Sequence, residues 1–87
     1  MSATHVLQAA VRRVTGFTRH TFNGASMPDP ATVRIVPRER GDAVFLVRYD
    51  DQGQELTDTW HASVDKAKRH AKLEYDIDEG DWVRADK

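Results

Sequence analysis

The sequence predicts an α+β fold: an antiparallel three- or four-stranded sheet, a C-terminal helix packed on one of its faces, and a short N-terminal helix. Three observations predict it. Two alternating apolar runs flank the polar tetrad Asp50-Asp51-Gln52-Gly53, which is the pattern of a β-hairpin. The second run leads directly into helical spacing from Ser63 to Tyr75. With 87 residues, the chain has material for one hydrophobic core and not two, so residues 1–87 read as a single small domain.

The elements follow in order. From Val6 to Val14, Leu7, Ala10, Val11 and Val14 recur at intervals of three and four and continue to Phe17, which predicts the N-terminal helix. Thr4 would cap its start and Gly16 would take the left-handed position at its end. The β-branched Val11, Val14 and Thr15 keep a strand open as the alternative across residues 4–22. Phe17 to Phe22 reads as extended, and Asn23-Gly24 with Met27-Pro28-Asp29-Pro30 as the strongest loop signal. Thr32 to Pro37 alternates and ends at a proline that cannot donate to a ladder, which places this strand at a sheet edge.

Arg38 to Asp42 is a polar turn, and Ala43 to Tyr49 is the most buried strand, apolar on both faces and expected at the sheet centre. Gly53 supplies the positive φ of the hairpin turn. In the return strand Leu56, Asp58 and Trp60 share one face, expected to be the core side. Glu55, Thr57 and Thr59 share the other, expected in solvent. Ser63 is a good N-cap, and Val64, Ala67, Ala71 and Tyr75 form a stripe of mostly small residues that would let the helix approach the sheet closely. Asp76 stands where a left-handed cap is wanted, and Ile77 and Trp82 are expected to fold back over Leu73.

Composition narrows the function classes. Hydrophobic residues at 39% and charged residues at 31% are enough for a folded core, unlike a disordered chain. Without cysteine there is neither a disulfide framework nor a thiolate metal site. Met1 to His5 lacks the pattern of a signal peptide, and the longest apolar stretch, Ala43 to Val47, is too short to span a membrane, so a cytoplasmic protein is expected. The net charge of −1 hides a split. Residues 1–40 hold six arginines against Asp29 and Glu39, a net +4, whereas residues 41–87 are net −5, with acids densest from Glu74 to Asp81. Such a split suits intramolecular docking, head-to-tail association or one charged partner face.

Tyr49-Asp50-Asp51-Gln52-Gly53, Thr57-Asp58-Thr59-Trp60-His61, Ala67-Lys68, Ala71, Glu74-Tyr75, Ile77 and Asp81-Trp82 together resemble a small bacterial family of uncharacterised proteins, in which a hairpin ends in a similar Asp-Thr-Trp-His run before a helix. The resemblance covers Ala43 to Trp82 and departs at Asp76, where glycine is expected. It implies a fold and no activity. By topology, helix, three strands and helix is also similar to the double-stranded RNA-binding domain, and Ser63, Ala67, Lys68 and Ala71 are similar to the start of its last helix. Val64 and Asp65, however, occupy the positions of its phosphate-binding lysines, and an aspartate there repels phosphate.

Asp58, Trp60 and His61 form the densest group of functional side-chain types. An Asp and a His could exchange a proton in a small enzyme, but no nucleophile or glycine-rich cradle accompanies them. The structural reading is the stronger: Trp60 plugs the core, Asp58 bonds local backbone or a hydroxyl, and His61 precedes the helix cap. His5, His20, His61 and His70 match no metal motif, and the run from Asp76 to Asp81 lacks a calcium loop's glycine and final glutamate at the right places. No metal or other cofactor is expected. Lys66, Arg69 and Lys72 on the helix, with Arg12, Arg13 and Arg19, could meet an anion, but at a pI near 6.4 with interleaved acids nucleic acid is not the expected partner. The leading expectation is a non-enzymatic protein-binding or adaptor module, in complex with another protein or with itself, its surface formed by Glu55, Thr57 and Thr59 or by the Arg-rich N-terminal segment.

Overall fold

A computed structural model describes residues 5–16, 21–22, 25–26, 29–38 and 41–85. Its main sheet has five strands: β1 (Leu7–Ala10), β4 (Thr32–Pro37), β5 (Val44–Tyr49), β6 (Glu55–His61) and β7 (Val83–Arg84). β2 (Thr21–Phe22) and β3 (Ala25–Ser26) form a separate antiparallel pair. The main sheet runs β6-β5-β4-β1-β7, antiparallel throughout. One helix, α1 (Val64–Tyr75), covers one face, followed by a 3₁₀ turn at Glu79–Asp81. The α+β class stands, with five strands in place of three or four. The Thr4 cap, Phe17, Arg19 and His20, and the loop positions Asn23-Gly24 and Met27-Pro28, lie outside the described residues.

The N-terminal helix is corrected to a strand. Leu7, Ala9 and Val11 alternate toward the core, which competes with the three-and-four spacing. Long-range pairing decides between them, since Leu7 to Ala10 bonds β4 on one side and Leu7-Gln8 bonds β7 on the other. The double-stranded RNA-binding order, which begins with a helix, is lost with it. Gly16 does take a positive φ of 82°, but it ends no helix. Residues 11–15 instead run alongside the C-terminal end of α1. The Arg13 and Thr15 amides donate to the carbonyls of Tyr75 and Glu74 at 3.2 and 2.9 Å, satisfying acceptors that a helix end leaves orphaned.

β4 is corrected from edge to centre. Pro37 is tolerated because β1 pairs only Thr32 to Ile35, so the proline lies beyond that ladder. β5 is interior, second from the edge. Val33, Ile35, Val44 and Leu46 from the sheet, Ala9 from β1, and Ala67, Ala71, Tyr75 and Ile77 from the helical side make up the core. Ser63 accepts a hydrogen bond from the Lys66 amide at 3.2 Å, the expected N-cap. Ile77 enters the core, but Leu73 stays 45% exposed, so the expected cover over it does not form.

Asp76 occupies the left-handed region at φ 58°, as anticipated from its position. Its backbone N–H closes the helix on the Lys72 carbonyl at 3.0 Å. A β-carbon in this conformation is strained and glycine is not. Asp76→Gly is therefore expected to raise stability by about 0.5–1 kcal/mol, because the exposed Lys72–Asp76 pair that it removes contributes little. A thermal melt checks this, and a lower midpoint would show that the pair outweighs the strain.

The return strand is turned over relative to expectation. Arg48 faces Thr57 and Tyr49 faces Glu55, so Leu56 is an extra residue and the ladder shifts at this bulge. A one-residue shift exchanges the two faces of a strand. Thr57, Thr59 and His61 consequently point to the helix side, in rows with Arg48, Leu46 and Val44. Asp58 and Trp60 lie on the opposite face, in rows with Val47 and Phe45. Trp60 is 55% exposed and plugs no core.

Candidate functional site

Among the described residues, a buried polar cluster lies between the hairpin and α1, and a second group of side chains stands at the exposed end of β6.

The cluster is built around Arg48. Alternation along β5 carries Val44, Leu46 and Arg48 to the helix side, so the guanidinium enters the core and is 1% exposed. Burying this charge requires partners for its donors. Nε donates to the Tyr75 hydroxyl at 2.9 Å, and Nη1 donates to the Leu46 carbonyl at 3.1 Å and Thr59 Oγ1 at 3.2 Å. Nη2 donates to Glu74 Oε1 at 2.5 Å, and Glu74 is itself 2% exposed. Burial pushes the Tyr75 hydroxyl's pKa up, so it stays protonated beside the guanidinium.

Two histidines connect this pair to the surface. His70 sits one helical turn before Glu74, its Nε2 at 3.2 Å from Glu74 Oε1. His61, at the end of β6, stacks obliquely on His70 with ring centroids 5.0 Å apart. Its Nε2 lies 2.8 Å from Thr59 Oγ1. That hydroxyl also accepts from Arg48, so Thr59 links the guanidinium to the imidazole. Burial, then His70 and Arg48, hold His61 below the usual histidine value, while Glu74 opposes them.

At the second place, the row Val36–Phe45–Trp60 runs across the face away from the helix and ends on Trp60 at the sheet edge. The neighbouring row Gln8–Arg34–Val47–Asp58 ends on exposed Asp58. Arg34 is held by Gln8 Oε1 at 2.7 Å and lies over the Tyr49 ring, 5.4 Å from its centroid. Among the described residues no strand pairs with the outer edge of β6.

The predicted site residues are dispersed by this geometry. Asp58 and His61 face opposite sides of the sheet, so the acid-base pair is not assembled. Thr57 and Thr59 leave the expected surface for the helix side, because the bulge at Leu56 shifts the register; Thr59 Oγ1 there accepts from Arg48, whereas Thr57 Oγ1 is buried without a hydrogen-bond partner among the described residues. Glu55 remains exposed. Arg12 pairs with Asp81 at 2.8 Å, which raises the pKa of the guanidinium and lowers that of the carboxyl. Lys72 contacts Asp76 and Asp78, whose hydrogen bonds raise its pKa. Lys68 contacts Glu79. The acidic run thus engages Arg12 from the N-terminal segment and two helix lysines within the molecule, while Arg13, Lys66 and Arg69 are exposed. Among the described residues no group of three or more His, Asp or Glu side chains is arranged to hold a metal ion, and no helix is long and apolar enough to cross a membrane.

Sequence reading missed Arg48 and Glu74. The available signals were an arginine at an inward position of an otherwise apolar strand and a glutamate three residues after Ala71 on the buried stripe. Comparison of the chain with family models, curated proteins and solved structures gives no significant match.

Proposed function

We propose that this protein is a small non-enzymatic protein-binding or adaptor module of the bacterial cytoplasm, and that it docks through the exposed end of β6. The observation that carries the reading is Trp60. A tryptophan 55% exposed on a strand whose outer edge is unpaired among the described residues, backed by Phe45 across the ladder, has the character of an interface anchor. The contact surface is therefore Trp60, Asp58 and the free edge, in place of the Glu55, Thr57 and Thr59 face. The buried cluster serves as the brace that fixes β6 against α1 and keeps this edge rigid.

Nucleic acid is the weaker reading, because Arg12, Lys68 and Lys72 are already engaged by carboxylates. The resemblance to a small bacterial family and the lack of cysteine support the assignment to a reducing bacterial cytoplasm. The test is capture of partners by the immobilised protein. Trp60→Ala is expected to lose at least about 2 kcal/mol of binding while its urea midpoint is unchanged. Full retention of partners by this variant would refute the reading.

A further inference from the structure

We infer that the partner seated on β6 is a second copy of this chain, added antiparallel edge to edge about a two-fold axis at Thr59, which joins two five-stranded sheets into one. This rests on the docking surface proposed above and names its occupant. An edge strand presents a row of unpaired N–H and C=O groups, and natural edges are guarded by lysine, proline or bulges. β6 carries neither lysine nor proline, and its bulge lies at the turn, leaving Thr57 to His61 regular.

The strand is complementary to itself in this register. A two-fold axis perpendicular to the sheet keeps both helices on one side, so residues sharing a face must oppose each other. With Thr59 on the axis, Asp58 stands opposite Trp60 of the second copy, and Thr57 opposite its His61. Each Asp58 carboxylate then meets an indole instead of another acid. The two Trp60 rings lie diagonally across the new ladder, within reach of each other, which removes two half-exposed indoles from water. Moving the axis to Asp58 would set two carboxylates against each other. Moving it to Trp60 would leave only Thr59 to His61 in the ladder.

The test is sedimentation velocity of the untagged full chain from about 1 µM to about 1 mM. Monomer at low concentration passing to dimer is expected. W60D places a carboxylate opposite Asp58 of the second copy at two symmetric positions and is expected to weaken self-association at least about tenfold. Adding D58K to W60D turns both repulsions into opposite-charge pairs and is expected to restore affinity to within about threefold of the original. Both positions are exposed, and an unchanged urea midpoint verifies the fold of each variant. A chain monomeric throughout, a dimer indifferent to W60D, or a W60D variant not rescued by D58K overturns the inference. If the chain is monomeric yet loses a captured protein on W60D, the inference fails while the docking function stands.

Discussion

Replacing Arg48 by alanine is expected to cost about 3–5 kcal/mol of folding stability. This is a large part of the roughly 5–15 kcal/mol that holds a domain of this kind together. The guanidinium is the centre from which Glu74, Tyr75, Thr59 and the Leu46 carbonyl are all satisfied. Without it, the buried Glu74 carboxylate loses the guanidinium that pairs with it at 2.5 Å. Breaking one side of a buried ion pair costs more than removing both. The double variant Arg48→Met/Glu74→Leu is accordingly expected to return to within about 2 kcal/mol of wild type. Urea titration of the two single variants and the double variant measures this as a cycle. Additive losses would show that the pair does not act as a unit.

Acidification is expected to loosen the same joint through His61. Its folded-state pKa lies below the unfolded value of about 6.5, so the unfolded chain takes up a proton first as pH falls. Stability is therefore complete above about pH 6.5 and is lost progressively as pH drops from there toward the lowered folded value. The slope from this one group reaches at most about 1.4 kcal/mol per pH unit. The charge would arrive beside His70 and Arg48. His61→Gln keeps a hydrogen-bonding side chain and removes the titration, so its urea midpoint should vary less between about pH 7.5 and about pH 5.5 than that of the wild type. Equal slopes in the two proteins would exclude His61 as the source.

The two predictions concern residues of unequal legibility. His61 is visible in the sequence, where Asp58, three residues away, is its expected partner. On a strand, positions three apart face opposite sides, and the contact instead comes from His70 on the helix. Arg48 and Glu74 each looked like an ordinary charged residue in a charged protein. Their meaning lies in a pairing across 26 residues of chain, and neither residue's local pattern specifies the other. The inverted face of β6 has a similar origin. Their apolar character predicts Trp60 and Leu56 inward, whereas one extra residue at the bulge turns Thr57 and Thr59 inward, and Thr59 there accepts from Arg48.

By itself the sequence determined what depends on neighbours in the chain: the hairpin turn with Gly53, the Ser63 cap, the extent of α1, the left-handed closure at Asp76 and the alternation of β4 and β5. Each is a matter of backbone dihedrals and short-range hydrogen bonds, which a few adjacent residues control. Tertiary structure decided the identity of β1, the central place of β4, the addition of β7 and which face of β6 is buried. Residues 7–10, Leu-Gln-Ala-Ala, are acceptable in a helix, but as a strand they receive ladder bonds on both sides and bury Ala9. Trp60 stands out in the sequence as a residue of consequence. Only the register of the assembled sheet turned it away from the core and onto the open edge.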